Sequence, residues 1–206
     1  MPLPPIVRPP VAGILRLWYN RDMAEPRSHV PVLLVVAAFG RQAAALRWGR
    51  ERLEQAHGPV ALAGEPYAFT HTTYYEPTMG PGLTKQLLAF RDLVSPDCLP
   101  DVKLHANALE AELAASGTFA EARPLNLDPG ILTLGKFLLA TTKDQAHRVY
   151  LRDGVFAEVT LRFEAGAFEP WPWTYADYRE PAVRGFLREA REYYRERLRV
   201  YREQRR

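Results

Sequence analysis

The chain has 206 residues, of which 47% are hydrophobic and 25% are charged, as in an ordinary globular domain. This composition excludes a fibrous or wholly disordered protein, and the single cysteine, Cys98, excludes a framework of disulfide bonds. The net charge of +3 is unevenly spread, since residues 179–206 hold ten arginines and five glutamates, and the remaining chain has 17 cations against 19 anions. The basic character therefore belongs to the last segment, and the body of the chain is slightly acidic.

Residues 1–27 are predicted to form a loosely ordered extension ahead of a single globular domain over residues 28–206. Prolines recur in the first ten positions, and the short apolar stretch behind them contains Arg16 and lacks a cleavage site, which argues against a secretory signal. A polar run then separates Met23 from the first strong strand pattern. We therefore expect Met23 to be the natural start, with residues 1–22 an upstream extension.

Residues 30–39 form a continuous apolar run rich in β-branched side chains, which is typical of a strand buried on both faces. Apolar positions at helical spacing predict a helix over residues 41–57, and residues 60–70 return as extended chain. Strand, helix and strand in this order favour a right-handed crossover that joins a parallel pair of strands.

Residues 72–82 are predicted to be a loop because of their proline and glycine content. The apolar residues of positions 83–94 recur at helical spacing, which predicts a helix that ends before Pro96. Residues 102–113 repeat the same spacing and predict a second helix that ends near Gly117.

Asp128 and Pro129 are typical of a helix start, since aspartate is a favoured N-cap and proline a favoured first residue. A short strand over residues 123–127 leads into them. An apolar arc on the helical wheel then predicts a helix over residues 129–142.

Residues 147–163 predict a β-hairpin because apolar and polar side chains alternate along them. A two-residue turn at Asp153 and Gly154 would mix the two faces. We therefore predict a three-residue turn over residues 152–154, with Gly154 in the left-handed conformation.

This register pairs Arg148 with Glu158 and Tyr150 with Phe156, and it gives the hairpin one polar and one apolar face. The polar face carries Arg148, Tyr150, Glu158, Thr160 and Arg162. The first strand contributes His147, Val149 and Leu151 to the apolar face.

A further short strand is predicted near Phe168, followed by an aromatic stretch over residues 171–179 and, from Pro181, a long amphipathic helix. The order of elements is therefore β-α-β-α-α-β-α-β-β-β-α. We predict a single mixed α/β (α+β) domain with a mainly central sheet and helices on both faces.

Residues 130–137 nearly match the phosphate-binding pattern G-x-x-x-x-G-K-[S/T], with Phe137 in place of the hydroxyl residue that holds Mg²⁺. The predicted helix start at Asp128 puts Lys136 in the second turn, behind a capping carboxylate that repels phosphate. We therefore interpret the match as a near miss and not as a nucleotide site.

No metal site is predicted from the sequence. The five histidines are scattered, without the i, i+4 pair of a helical zinc site, and the nearest approach to a pair is His71 with Glu76. Cys98 lies between two prolines with no histidine near it in sequence, which indicates a packed and inert thiol.

The polar face of the hairpin is the candidate site. Arg148 and Glu158 form either an exposed cross-strand ion pair of structural value only, or part of a cleft. In the second case Tyr74, Tyr75 and residues 171–178 would cover the polar face of the hairpin and close the cleft.

In such a cleft Arg148 and Lys143 would bind an anionic group. Glu158 or Asp128 would act as the acid or base. The remaining predicted ligand-binding residues are Tyr74, Tyr75, Tyr150 and Thr160.

Four segments of the chain carry a family resemblance: TTYYEPTMGPGL (72–83), LNLDPGILTLGKFLLATTKDQAHRVYL (125–151), GVFAEVTLRF (154–163) and PWTYADYR (172–179). In this order they resemble bacterial and archaeal proteins of the domain-of-unknown-function family 4416, over about residues 30–200 of this chain.

Members of that family often carry the label "GTP-binding protein", although the family pattern has no complete phosphate loop. The pattern has acidic residues where this chain has Thr73 and Thr78, tyrosine at Ile131 and serine at Gly135. The resemblance supports Met23 as the start and implies no established activity.

Two functions are open at this stage. The first is a small protein that binds an anionic or nucleotide-like ligand at the polar hairpin face, with catalysis undecided and no cofactor identified. The second is a non-catalytic interaction protein whose basic C-terminal helix docks a protein or RNA partner. A closed cleft shared by Glu158 with Tyr74, Tyr75 and Asp128 favours the first, and an open face favours the second.

A cytoplasmic location is expected, because the chain has one cysteine and its longest apolar run is about half the length of a membrane span. No membrane partner is therefore expected. Nucleic acid is a weaker candidate partner than a small ligand, since the net positive charge is confined to the last helix. The sequence does not assign an oligomeric state.

Overall fold

The structure, a computed structural model, describes residues 29–205. The predictions of a loosely ordered extension over residues 1–27 and of a natural start at Met23 lie outside these residues. Within the described range, no helix is long and apolar enough to cross a membrane.

The described part of the chain contains nine strands, four α-helices and two short 3-10 helices, Pro96–Cys98 and Ala176–Arg179. The strands are β1 (Val32–Gly40), β2 (Val60–Ala63), β3 (Tyr67–Ala68), β4 (Thr84–Val94), β5 (Asn126–Leu132), β6 (Lys136–Thr141), β7 (Val149–Arg152), β8 (Val155–Glu164) and β9 (Ala167–Pro170). The helices are α1 (Ala43–His57), α2 (Glu76–Met79), α3 (Leu99–Ala115) and α4 (Pro181–Glu203).

The strands form one antiparallel sheet in the order β2-β4-β1-β5-β6-β8-β7, with β3 beside β4 and β9 beside β8. Strand β1 lies near the middle, and successive side chains along it point to opposite faces. One set packs with the apolar side chains of α4, and the other packs with those of α1 and α3. The structure confirms a mixed α/β domain with helices on both faces, and a first strand buried on both faces.

Strands β1 and β2 run in the same direction but do not pair, so the predicted parallel pair is wrong. Strand β4 lies between them and pairs antiparallel with both. The sequence pattern predicts a helix where the structure has β4. The prediction therefore lacks the strand that separates β1 from β2.

The helix predicted over residues 83–94 is strand β4. Leu87 and Ala89 belong to the apolar cluster on the α4 side, whereas Leu88 and Phe90 belong to the cluster on the opposite side. Because the strand is buried on both faces, most of its positions are apolar, and helical spacing can be found in it by chance.

The helix predicted over residues 129–142 is also wrong, since this segment contains most of β5, a turn and β6. Asp128 and Pro129 lie inside β5 and do not begin a helix. Both strands are central, so the ambiguity that affects β4 applies here as well. The near match to the phosphate pattern therefore lies on two strands and their turn, where no helix N-terminus faces a phosphate.

The predicted hairpin is present as β7 and β8, and the pairing of Tyr150 with Phe156 is confirmed. The predicted turn is one residue too long, because Asp153 and Gly154 alone form it, with φ of 53° and 75°. Leu151 is the extra residue of a bulge, and the bulge allows a two-residue turn to coexist with the predicted register.

The apolar face predicted for the first hairpin strand is not covered. β7 is the edge strand, and Val149 is 68% exposed, with Leu151 also exposed. His147, predicted on the same face, instead lies against Glu158, with 3.2 Å between Nε2 and Oε2.

Three predicted helices are confirmed as α1, α3 and α4. Helix α4 covers one face of the sheet with an apolar stripe that includes Phe186, Leu187 and Tyr194. Cys98 is partly buried beside the cluster on the opposite face, and burial, with Asp97 and Asp101 nearby, raises the pKa of its thiol.

Gly130 is required by close packing between β5 and β6. A Cβ atom at this position would collide with the Leu138 carbonyl oxygen and the Phe137 ring. We expect Gly130→Ala to lower the free energy of unfolding by about 1–3 kcal/mol, as overpacking of a core does, in equilibrium urea denaturation.

The matched control is Gly135→Ala, in the turn between the same strands. Apart from Gly135 itself and its two neighbours in the chain, no described residue has a heavy atom within 4 Å of a Cβ placed there. We expect this variant to change the free energy of unfolding by no more than about 0.5 kcal/mol. Equal losses in the two variants would refute the close-packing explanation.

Candidate functional site

A cleft of about 210 Å³ opens between β5 and β6. The two strands pair from Leu132 only as far as Gly130. The next residue of β5 is Pro129, which has no main-chain N–H to donate, and proline in a central strand fits only where a ladder is broken. Beyond this point the strands no longer pair, and side chains from both faces of the sheet reach the space between them.

Side chains from helix α3, from three strands and from connecting segments line the cleft. Helix α3 contributes Lys103 and Asn107, and the two strands contribute Asn126, Asp128, Leu139 and Ala140. The loop before α2 contributes Tyr74 and Tyr75, and residues 171–179, here called the aromatic loop, contribute Tyr175 and Tyr178. The segment after β6 contributes Thr142 and Lys143, and β8 contributes Glu158.

Asp128 is held as a carboxylate by partners on both oxygens. Lys103 Nζ lies 3.2 Å from Oδ1, and the Asn126 amide donates to Oδ2 at 2.9 Å. Burial of the carboxyl opposes ionisation, but Lys103 and the more distant Lys85 outweigh it and lower the pKa of Asp128.

Buried polar groups of α3 fix the strand that carries Asp128. Lys103 Nζ also donates to the Leu127 carbonyl at 3.0 Å, and Glu110 accepts the Leu127 N–H at 2.7 Å. Arg123 pairs with the other oxygen of Glu110 at 2.7 Å and also contacts Asn126. Burial raises the pKa of Glu110, although Lys103 and Arg123 oppose this shift.

Glu158 is the second carboxylate of the cleft, and its side chain is 1% exposed. It accepts a hydrogen bond from Arg148 Nε at 2.8 Å and one from Thr160 Oγ1 at 3.3 Å. His147 Nε2 lies 3.2 Å from the same oxygen that Arg148 contacts. Three side chains therefore orient this carboxylate.

Arg148 uses its other donors within the protein. Nη1 donates to the Lys143 carbonyl at 2.9 Å, and Nη2 donates to the Tyr175 hydroxyl at 2.8 Å. The guanidinium thus joins β8 to the segment after β6 and to the aromatic loop, which are two walls of the cleft. It lies behind Glu158 and does not itself line the cleft.

A bulge in β8 directs Thr160 toward Glu158. Leu138 pairs with Val159 and Phe137 with Leu161, so Thr160 is the extra residue. Its carbonyl accepts a hydrogen bond of 2.5 Å from the Thr174 hydroxyl, which ties the aromatic loop to the sheet.

A buried ion pair fixes the other end of the aromatic loop. Lys85 Nζ of β4 lies 2.6 Å from Asp177 Oδ2, and the Tyr67 hydroxyl donates to the same oxygen at 3.2 Å. The ammonium also lies 4.7 Å from the Tyr178 ring and 4.9 Å from the Phe69 ring. With both ends attached to the sheet, this wall of the cleft is formed before any ligand arrives.

Two hydrogen-bond donors of the cleft have no strong partner among residues 29–205. The Tyr178 hydroxyl is buried without any hydrogen bond, and Tyr178 is 1% exposed. Burial, together with Asp177 and Tyr67, raises the pKa of Tyr178 well above its ordinary value, so the hydroxyl keeps its proton. Lys143 makes no described ion pair, and its Nζ lies 4.7 Å from the Tyr74 ring and 3.4 Å from that hydroxyl.

The structure brings five of the predicted site residues to the cleft: Tyr74, Tyr75, Asp128, Lys143 and Glu158. Arg148 and Thr160 support Glu158 from behind. Tyr150 lies apart, exposed on the edge strand with its ring 5.3 Å from that of Phe156.

The sequence analysis assigned no role to Lys103, Asn107, Arg123 or Asn126. The first two lie in a predicted helix without a recognisable motif, and only their position beside the broken ladder brings them to the site. His71 lies 3.0 Å from Glu180 and not beside Glu76. Within residues 29–205 no three His, Cys, Asp or Glu side chains form a group suited to a metal ion.

Removal of Arg148 would leave Glu158 buried without its main partner. We expect Arg148→Ala to lower the free energy of unfolding by about 3–5 kcal/mol, because breaking one side of a buried pair leaves an uncompensated charge. Equilibrium urea denaturation measures this loss.

Arg162→Ala is the matched control, since Arg162 pairs with Glu164 at 2.8 Å on the exposed surface of β8, the strand that carries Glu158. This variant should lose much less free energy of unfolding than Arg148→Ala. Replacing both buried partners, in Arg148→Met with Glu158→Leu, should give a more stable protein than Arg148→Ala alone. A loss at Arg148 no greater than at Arg162 would contradict this account.

The lowered pKa of Asp128 predicts a stability contribution that depends on pH. A carboxyl whose pKa is lower in the folded state stabilises the fold above its unfolded value, near 3.8, and this contribution is lost as the pH falls through the folded value. At pH 7 the free energy of unfolding of wild type should exceed that of Asp128→Asn by about 1–3 kcal/mol. This difference in stability should become smaller below about pH 5.

Denaturation curves of the two proteins between pH 7 and pH 3 measure this difference in stability. Asp144→Asn, in the loop after β6, provides the baseline for losing a surface carboxylate. A difference that stays constant over the whole range would show that folding does not depend on ionised Asp128.

Comparison with protein families finds a family model that matches most of the chain. The model described as "Domain of unknown function (DUF4416)" matches residues 30–194. Searches of curated proteins and of solved structures each found no match. Every residue named here as lining the cleft lies within the matched range. The chain therefore belongs to the DUF4416 family, a domain of unknown function.

Proposed function

We propose that this protein binds a small anionic ligand in the cleft between β5 and β6. The observation that carries the proposal is a pair of donors without a strong partner among the described residues, the Lys143 ammonium and the Tyr178 hydroxyl, in a cleft whose carboxylates already have partners. A buried hydroxyl without a hydrogen bond is costly to a fold, and a ligand that accepts from it would remove that cost.

The charges of the cleft favour an anion over a cation. Asp128 is balanced by Lys103, and Glu158 is balanced by Arg148. Arg123 is balanced by Glu110 in the same way. The remaining positive charge is that of Lys143 at the rim, so an anionic group placed there meets a cation whose charge no described carboxylate neutralises.

The geometry supports binding more strongly than proton transfer. A general base works best when its pKa lies near the working pH, and Asp128 is displaced in the opposite direction. The oxygens of Glu158 already accept hydrogen bonds from Arg148 and Thr160. Both carboxylates are therefore better placed to accept hydrogen bonds from a ligand than to take a proton from it.

The alternative function, docking of a protein or RNA partner on α4, has less support. Arg199 pairs with Glu196 and Glu203 along the helix surface, and Arg191 donates to the Leu134 carbonyl in the turn between β5 and β6. The apolar stripe of α4 is buried in the core, so deleting the helix would unfold the domain and could not test this idea.

A thermal-shift experiment tests the proposal. The wild-type protein is mixed with inorganic phosphate, phosphorylated metabolites, small carboxylic acids and GTP with Mg²⁺. At about tenfold excess over Kd, a true ligand should raise Tm by about 3–6 °C in a domain of this size. Lys143→Ala should abolish most of this rise, because it removes the unbalanced cation.

Lys136→Ala is the matched control, since Lys136 is exposed on β6 at the end away from the cleft. It should retain the full rise in Tm. A wild-type protein that responds to no anion in the set would overturn the proposal, and an equal rise in the Lys143→Ala variant would place the ligand elsewhere.

A further inference from the structure

We infer that the ligand is a small phosphorylated sugar or polyol, with its phosphate at Lys143 and its hydroxyl groups between Asp128, Glu158 and Tyr178. This inference rests on the proposed function and adds the chemical class of the ligand. It follows from what each open group of the cleft requires of a partner.

The two carboxylates require hydrogen-bond donors from the ligand. The carboxylate oxygens of Asp128 and Glu158 act as acceptors in all their described hydrogen bonds, and each carboxylate has lone pairs left. A second anionic group at this end would offer these carboxylates no hydrogen-bond donor. The part of the ligand that lies deep in the cleft must therefore be uncharged or cationic and must donate hydrogen bonds.

Tyr178 distinguishes a hydroxyl from an ammonium group. Its buried hydroxyl keeps its proton and has no described acceptor. A ligand hydroxyl can accept from Tyr178 and donate to a neighbouring carboxylate at the same time, whereas an ammonium group has no lone pair with which to accept. The requirement for both roles favours a hydroxylated ligand over an amino acid.

The size of the cleft favours a single sugar or polyol unit. Its volume of about 210 Å³ is below the range of roughly 300–1,000 Å³ that is usual for drug-sized ligands. The inner wall of the aromatic loop is fixed to β4 by Lys85 and to β8 by Thr174, so it does not open readily for a larger molecule. A nucleoside triphosphate is correspondingly too large.

The phosphate end is assigned to the rim. Lys143 follows Thr141 and Thr142, and all three line the mouth of the cleft. Lysine binds phosphate as a point charge, and threonine hydroxyls can donate to phosphate oxygens. The exposed Tyr74 ring beside Lys143 shields this end without enclosing it.

Isothermal titration of the full chain with a matched set of probes tests the inference. The probes are ribose 5-phosphate, glycerol 3-phosphate and glucose 6-phosphate, compared with inorganic phosphate, ribose, serine and GTP. At least one sugar or polyol phosphate should bind tenfold or more tightly than inorganic phosphate, with ribose, serine and GTP weaker than that ligand.

Tyr178→Phe separates the hydroxyl end from the phosphate end. It should lower the affinity for the tightest-binding sugar or polyol phosphate by about fivefold, which is the effect of one hydrogen bond. The affinity for inorganic phosphate should stay unchanged. Tyr150→Phe, a tyrosine outside the cleft, should alter neither affinity. Thermal denaturation of both variants checks that they fold.

The failures of the two proposals are distinguishable. If inorganic phosphate binds through Lys143 but no sugar or polyol phosphate binds more tightly, the proposed function stands and the assigned ligand class is wrong. Tighter binding of serine or GTP, or equal weakening of phosphate by Tyr178→Phe, would overturn the ligand class in the same way. If no probe binds, both proposals fall.

Discussion

The ladder between β5 and β6 stops beside Pro129, a residue that cannot donate a main-chain hydrogen bond. On its other side Pro129 still pairs in register with Val36 of β1, so the sheet is interrupted on one side only. The gap that results lies between the two helical layers. Lys103 can therefore reach it from α3 while Tyr178 reaches it from the aromatic loop, and a sheet without this interruption would keep the two apart.

The groups around the gap are arranged as local ion pairs, and each pair also has a structural task. Arg148 neutralises Glu158 and joins β8 to the cleft walls. Lys103 neutralises Asp128 and holds the Leu127 carbonyl. Because the interior charges cancel locally, a ligand meets little net field inside the cleft except at Lys143. The pair with Lys103 also explains why Asp128 remains ionised although it is enclosed.

The sequence predicts correctly those elements that bury apolar side chains on one face only. Helix α4 has a single apolar stripe, and the hairpin alternates along β8, so both were predicted, together with the approach of Arg148 to Glu158. Strands β4, β5 and β6 were misassigned because both of their faces are buried, which removes the alternation that identifies a strand. The sequence predicts a helix start at Pro129, because proline is typical both of a first helical residue and of a break in a strand ladder. Lys103 and Asn107 could not be assigned to a site, because their proximity to Asp128 depends on that ladder.

Helix α4 follows all nine described strands in the sequence, yet it supplies the apolar layer for a whole face of the central sheet. Strand β1, which is made early, presents Leu33 and Val35 to that layer. During synthesis these side chains stay without their native cover until α4 has left the ribosome. Until that moment the nascent chain depends on other means, such as chaperones, to keep this surface from associating with other chains.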